Sequence, residues 1–278
     1  MDPATETTAA TPSWTLAHDQ LDRPSVARMY DYYLGGGHNF AVDRQAAQRA
    51  IAIYPDFPLI MQVNRAFLHR AVTFLVEEGI DQFLDIGSGI PTGGNVHEVA
   101  QRANPAARVV YVDVDSVAVA HSAALLQDNP LATVIQADAR HSQQVIEHPE
   151  VRRLLDFSRP VAVLAVALLH FIPDDGEAQG LVRGLRDAVP AGSYLALTHA
   201  TTERVPAAGR EQLERVYAGA SSPLRFRSRR EIEHFFDGLA FIDPGLVRVP
   251  LWRPEDTDDL FLDHPERSLA YAGVARKS

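Results

Sequence analysis

Phe83-Leu84-Asp85-Ile86-Gly87-Ser88-Gly89-Ile90-Pro91-Thr92-Gly93-Gly94 reads as a buried strand running into a glycine turn. Phe83, Leu84 and Ile86 make a short apolar strand, Asp85 sits near its end, and Gly87 and Gly89 follow before a helical pattern begins near Val96. A strand, a glycine-rich turn and a helix bring backbone close to a nucleotide-like ligand. Glycine is required where a Cβ would collide with that ligand or forbid the turn's dihedrals. Gly-x-Gly alone is a weak signal, so the reading depends on what the neighbouring strands carry.

Downstream, strand and helix patterns alternate. Val109–Asp113, Thr133–Ala137, Val161–Val166 and Tyr194–His199 are strands, with helices over Ser116–Gln127, capped by Ser116, and Gly176–Ala188. Continuous apolar strands are buried on both faces, which predicts a parallel sheet with helices on both sides. Pro206–Ala218 reads as a surface helix, and Ser228 with Glu231 makes a capping box for a helix through Phe236. Two late strands, near Leu246–Pro250 and Ala270–Ala275, complete the pattern. The expected fold is α/β, doubly wound and Rossmann-like. Its seven-stranded sheet is mostly parallel, with an antiparallel edge strand and a helical N-terminal extension.

Upstream, residues 1–20 are rich in Thr, Ala and Pro, lack an apolar period and read as a disordered tail with Trp14 as an anchor. DRPSVARMYDYYLGGGHNF, Asp22 to Phe40, starts with Ser25 as a helix cap and ends in three glycines. Its tyrosines beside a glycine run suit either a flap over a ligand or an N-terminal helix packed on the domain with a flexible turn. Asp43 is the expected cap of a helix stopped by Pro55, and Pro58 opens the next helix, which Gly79 closes. Val63, Phe67, Ala71 and Leu75 give that helix a core-facing stripe. The division is a tail (1–20), a helical extension or lid (21–79) and a catalytic core (80–278).

With 26 basic and 36 acidic residues among 278, the net charge is −10, which speaks against nucleic acid or an anionic membrane as partner. The absence of cysteine excludes disulfides, thiolate metal sites and a cysteine nucleophile. No apolar run is long enough to span a bilayer and no signal peptide is evident, so a cytoplasmic protein is expected.

Ligands of open parallel sheets bind beyond the carboxyl ends of the strands. The first strand carries Asp85, Gly87, Ser88 and Gly89 there, the second ends in Asp113 before Val114, and the third is followed by Asp138 and Ala139. Asp113 lies 24 residues after Gly89, close to the roughly 20 expected of a ribose-binding acid. Asp115 is the competing choice. Asp138 suits the exocyclic amine of an adenine, and Ala139 offers its N–H. A dinucleotide fingerprint needs a third glycine where Thr92 stands. An acid-rich turn also suits a cation better than a diphosphate. S-adenosylmethionine, with adenine, ribose, ammonium and sulfonium and no phosphate, fits better than NAD.

Asp85-x-Gly87-x-Gly89, then Asp113, then Asp138 resemble the first three motifs of class I S-adenosylmethionine-dependent methyltransferases. ALLHFIPDD from Ala167 and PAGSYLALTH from Pro190 resemble the fourth and fifth. The usual third glycine is Pro91 here. That variant, with DRPSVARMYDYYLGGGHNFAVDR, NRAFLHRAV, FLDIGSGIPT, NVHEVAQ and FIDPGLV, resembles one family, formerly catalogued as a domain of unknown function and since grouped with the S-adenosylmethionine methyltransferases. The resemblance implies that Gly87 and Gly89 face the methionine part of the cofactor, Asp113 the ribose, and Asp138 with Ala139 the adenine. It also runs Ala165 and Val166 past the sulfonium and lays Tyr30, Gly36, Asn64 and Arg65 over the same pocket. It supplies no acceptor.

A base helps when the acceptor is protonated. His170 is the candidate, with Tyr33 and Tyr30 behind it; His199 reads as a core histidine. The arginines of RFRSRR, Arg225 to Arg230, read as a solvated helix start, and neither DTDD (Asp256 to Asp259) nor His97-Glu98 has metal-ligand spacing, so no metal is expected. The leading reading is a methyltransferase for a small-molecule acceptor, releasing S-adenosylhomocysteine. A non-catalytic adenosyl-binding module and, further off, a nicotinamide oxidoreductase are the alternatives. Oligomeric state stays open.

Overall fold

The computed structural model describes residues 22–255 and 259–278. The N-terminal tail with Trp14, and residues 256–258 of the DTDD run, lie outside the described residues. The chain opens with three helices, α1 (Val26–Tyr33), α2 (Ala41–Ile53) and α3 (Phe57–Glu77). An alternating series follows: β1 (Gln82–Ile86), α4 (Val96–Ala103), β2 (Arg108–Asp113), α5 (Ser116–Leu126), β3 (Ala132–Gln136), α6 (Ser142–Glu147), α7 (Pro149–Leu154), β4 (Ala162–Ala165), α8 (Asp175–Ala188) and β5 (Tyr194–Ala200). The last part holds α9 (Ala207–Ala218), α10 (Arg229–Glu233), β6 (Leu239–Phe241), β7 (Val247–Arg248) and β8 (Ala270–Lys277).

The strand order is β3-β2-β1-β4-β5-β8-β6. Strands β1 to β5 are parallel, and β8 runs antiparallel to β5. The outer edge of β8 is shared by β6, opposite Ala275–Lys277, and β7, opposite Tyr271 and Ala272, giving eight strands where seven were expected. β6 escapes a sequence reading because Ala240 and Phe241 are exposed, which leaves no alternation to detect. The chain reverses its sheet order between β1 and β4. A crevice opens at that switch point, beyond the carboxyl ends of the strands.

One apolar cluster packs α6, α7 and α8 against one sheet face through Val145, Leu154 and Leu181, and another packs α3, α4 and Trp252 against the other through Phe67, Leu75 and Ala100. A third joins α1, α2 and α9 through Met29, Ala46 and Leu213. Two expected caps are corrected. Asp115, not Ser116, caps α5, its carboxylate accepting from the N–H groups of Val117 and Ala118. Asp43 is the third residue of α2 and accepts from the Phe40 N–H. Its burial shows why it is acidic: Arg28 donates to it at 2.8 Å, and both side chains are almost wholly enclosed.

Candidate functional site

The crevice at the switch point has a cavity volume of about 390 Å³. Its floor is the glycine turn, and its walls come from the ends of β1 to β4 and from one face of α1. Gly87 and Gly89 take φ of +70° and +67°, a region that side chains avoid. A Cβ on Gly87 would also lie 2.6 Å from the end of the Leu168 side chain, so any other residue there would displace Leu168 as well as strain the turn. Ala167 in that segment has φ of +57°. Its N–H donates to the Thr198 hydroxyl, which holds it in a conformation unusual for a residue with a Cβ.

Three carboxylates meet the crevice in different states. Asp85 is 6% exposed and accepts a hydrogen bond from none of the described residues. Desolvation pushes its pKa up to about 7, against the pull of Arg65. Asp113 is also pushed up by burial, to about 6, although it accepts from the N–H groups of Gly89 (2.7 Å) and Asp115 (2.8 Å). A carboxylate has about four lone-pair positions, so Asp113 can brace the glycine turn and still accept from a ligand hydroxyl. Asp138 is held below the usual carboxylate range by Arg140, which donates to both its oxygens. Arg140 was missed at the sequence level. It lines the crevice beside Glu177, and nothing in its surroundings in the sequence distinguishes it from a surface arginine.

The rival acid, Asp115, is committed elsewhere. Besides capping α5 it accepts from the Ser25 hydroxyl at 2.5 Å and from Arg28 at 3.1 Å. With the Arg28–Asp43 pair, these contacts bolt α1 to the loop after β2, which sets Ser25, Val26 and Tyr30 along the crevice.

Deeper in, the crevice opens into an apolar pocket of about 70 Å³, sharing Val26, Tyr30, Asn64, Ala167 and Phe171 with it. A polar chain crosses this junction. The Thr198 hydroxyl donates to Asn64 Oδ1 (2.7 Å), Asn64 Nδ2 donates to the Tyr30 hydroxyl (2.9 Å), and that hydroxyl donates to the Met61 carbonyl (3.2 Å). Asn64 is buried.

Of the residues singled out in the sequence, Asp85, Gly87, Ser88, Gly89, Asp113, Val114, Asp138, Ala139, Val166, Tyr30 and Asn64 converge on the crevice. Val114, 60% exposed, offers an apolar wall beside Asp113. Ser88 Oγ is buried with no partner among the described residues. Gly36, Thr92, Ala165 and Arg65 do not line it. Gly36 is packed under the Asp31 carboxylate, and the Thr92 N–H is turned to Asn95 at the start of α4. Ala165 is inside the sheet. Arg65 donates to the Gly94 carbonyl at 3.1 Å, bracing the loop behind the turn, and its Nε is buried without a partner.

His170 and Tyr33 both face the apolar pocket. Burial and the neighbouring Arg227 guanidinium push His170 down to about 3, so the imidazole is neutral at physiological pH. Its Nδ1 accepts from the Ala200 N–H at 3.4 Å, and in a neutral ring the proton then resides on Nε2. Tyr33 shares a hydrogen bond with Tyr217 at 3.0 Å, and burial pushes its phenol well above its ordinary value. His199 is a core residue, accepting from Arg227 and stacked on Phe235. Arg227 corrects the reading of RFRSRR as a solvated patch. It is 1% exposed, and donates to the carbonyls of Leu169 and Ile172 and to Asp175. It therefore clamps the segment that carries His170 and Phe171.

No described helix is long and apolar enough to cross a membrane, and no group of metal-ligating side chains occurs among the described residues. Residues 13–278 match the S-adenosyl methyltransferase family. Two solved structures have the same architecture. A DUF574 family protein of Streptomyces avermitilis is 39% identical, with a TM-score of 0.88 over 93% of this chain and 99% of its own. A candidate methyltransferase of Thermobifida fusca is 40% identical, with a TM-score of 0.88 over 96% and 99%. A comparison with curated proteins found no match. The chain belongs to the S-adenosyl methyltransferase family.

Proposed function

We propose that this member of the S-adenosyl methyltransferase family binds S-adenosylmethionine in the switch-point crevice and methylates a small molecule held in the adjoining pocket. The observation that carries the reading is Asp85. A buried carboxylate without a hydrogen bond, beside a glycine turn and an orphaned Ser88 hydroxyl, is complementary to a cation and hostile to a diphosphate.

The residues present fit the cofactor. Asp85 would meet its ammonium, and Ser88 Oγ is a donor left for its carboxylate. Asp113 would accept from the ribose, Val114 would cover one face of the adenine, and Asp138 with Ala139 would meet its edge. When bound, the cofactor supplies a methyl group already activated on a sulfonium. The protein's part is alignment, a proximity effect. The Tyr30–Asn64–Thr198 chain fixes the junction between the two cavities, and Arg227 holds the segment after β4 in place. Tyr33 and His170 form the acceptor's surroundings.

Calorimetric titration with S-adenosylmethionine, S-adenosylhomocysteine and NAD tests this directly. Binding of both sulfur compounds and not NAD is expected. Binding of NAD alone refutes the reading. Binding of both sulfur compounds, with no methyl transfer to a broad acceptor panel, replaces it with the binding module.

A further inference from the structure

We infer that the apolar pocket beyond Asn64 takes the methyl acceptor, and that the acceptor is an uncharged aromatic ring carrying a hydroxyl group. The inference rests on the cofactor reading of the larger crevice and goes beyond it by naming the acceptor's class.

Composition is the first argument. No Asp, Glu, Lys or Arg is among the described residues that line this pocket. Bringing an ammonium or carboxylate into such surroundings without a partner is costly. Its walls are instead rich in rings. Tyr33 meets Phe57 with centroids 5.1 Å apart, Phe171 meets Tyr217 at 5.6 Å, and Phe226 adds a further ring. Offset and tilted contacts of this kind favour a flat aromatic guest.

Size narrows the class. About 70 Å³ is available, while a dry cavity that takes up benzene measures about 150 Å³. The pocket therefore admits the reacting edge of one ring, and the rest of the acceptor lies at the shared mouth, among Val26, Tyr30, Asn64, Ala167 and Phe171.

Hydrogen bonding selects the functional group. The polar atoms of Asn64 and Thr198 at the mouth are spent on one another, on Tyr30 and on the Ala167 N–H. His170 is different, because its Nδ1 is committed to the Ala200 N–H while Nε2 meets no partner among the described residues. That leaves Nε2–H as a donor, which an acceptor oxygen satisfies. Charged and titratable neighbours reinforce this. Arg227 and His199 flank the ring, and burial, helped by the Arg227 cation, keeps the imidazole neutral. His170 thus orients the oxygen and does not remove its proton.

A hydroxyl that receives no help from a base must ionise on its own. A phenol does so near pH 10, far more readily than an aliphatic alcohol. The proton goes to bulk water, the oxygen forms its bond to the methyl carbon as the carbon–sulfur bond breaks, and the electron pair stays on sulfur, which becomes a neutral thioether. Phenolate and sulfonium charges cancel in that step.

The test uses the full-length protein and calorimetry, first with S-adenosylhomocysteine alone, then with the S-adenosylhomocysteine-saturated protein and five probes: phenol, 2-naphthol, aniline, benzylamine and benzoate. The expected result is at least tenfold tighter binding of 2-naphthol than of benzylamine or benzoate. Ala200→Leu, which fills the pocket and keeps the backbone N–H, should abolish 2-naphthol binding and leave S-adenosylhomocysteine affinity within twofold. His170→Leu should weaken 2-naphthol several-fold with the same insensitivity of S-adenosylhomocysteine. The inference is overturned if a charged probe or aniline binds more tightly than the phenols, or if Ala200→Leu leaves 2-naphthol binding intact. Failure of S-adenosylhomocysteine to bind in the first titration removes the cofactor reading, and this one with it. The ranking of probes on the unmodified protein decides the matter even if a variant does not fold.

Discussion

Replacing Asp85 by Asn should make the ligand-free protein more stable and its cofactor binding weaker, with both effects growing as pH rises. Burial raises the Asp85 pKa from 3.8 to about 7 in the folded chain. An acid raised in this way opposes folding once it must ionise. The cost is absent below the unfolded value, builds between about pH 4 and pH 7, and is complete above that range. At about 1.4 kcal/mol per pH unit the full cost is about 4 kcal/mol. The Asn amide must itself be desolvated, so a net gain of about 1–3 kcal/mol is expected, or about 2–4 °C per kcal/mol in melting temperature. Thermal melts of both proteins at pH 4.5 and pH 8 provide the check. Binding runs the other way. The carboxylate is about one-tenth ionised at pH 6 and about three-quarters ionised at pH 7.5. Affinity for S-adenosylhomocysteine should therefore rise roughly sixfold across that window, allowing for a ligand α-amino group with pKa near 8 that falls to about three-quarters charged at pH 7.5. Asp113, raised to about 6, adds up to about twofold. The Asn variant should lose the larger part of that slope. A stability difference that does not change with pH, or an unaltered slope in the variant, would show that Asp85 is not the buried, cation-seeking acid described here.

Asp113→Ala should weaken cofactor binding by at least about tenfold, because it removes the proposed ribose acceptor and the brace on Gly89; unchanged affinity would place the ribose elsewhere. Arg28→Ala removes the cation from the enclosed Asp43 carboxylate and leaves Ser25 as the link from α1 to Asp115, for a loss of about 3–5 kcal/mol in chemical denaturation. Arg227→Met leaves the Ile172 carbonyl unpaired and the Leu169 carbonyl with the Ile172 N–H alone, and should cost about 1–3 kcal/mol, with faster proteolysis in the segment around His170. Gly87→Ala should reduce cofactor binding far more than Gly93→Ala, because only Gly87 combines a positive φ with a close neighbour.

The parallel core was legible because its strands are short apolar runs ended by acids or glycines, and such runs have few other interpretations. Asp85, Asp113 and Asp138 could be brought to one edge from topology alone. Pairing within the chain was not legible. Whether Asp113 or Asp115 faces the ligand depends on Ser25 and Arg28, which are 87 to 90 positions away from Asp115. Arg227 looked solvated because its flanking arginines are, and its partners are two backbone carbonyls, which have no sequence signature, and Asp175 and His199, which are distant in the chain. The apolar pocket was also hidden, being assembled from α1, α3, β5 and α9 through residues that individually read as core.

Unfavourable features gather at one place. Two buried acids with raised pKa values, an alanine at positive φ and an orphaned serine hydroxyl all border the same crevice. Each opposes folding, and a cation with hydroxyl and amine groups would offset the cost of the acids and of the serine hydroxyl, while the alanine is held by Thr198. The offsetting stabilisation lies just outside. Arg28 ties α1 to α2 and to the loop after β2, and Arg227 ties the segment after β4 to α8 and β5. Both arginines are enclosed and neither lines the crevice. Changes at the two clamps should therefore reduce stability with little direct effect on ligand contacts, whereas changes at Asp85 should trade stability against binding. Plotting melting temperature against cofactor affinity should give two sets, the clamp variants spread in melting temperature at nearly constant affinity and the Asp85 variants gaining melting temperature as they lose affinity. A single common trend would mean that the crevice is not the strained part of the fold.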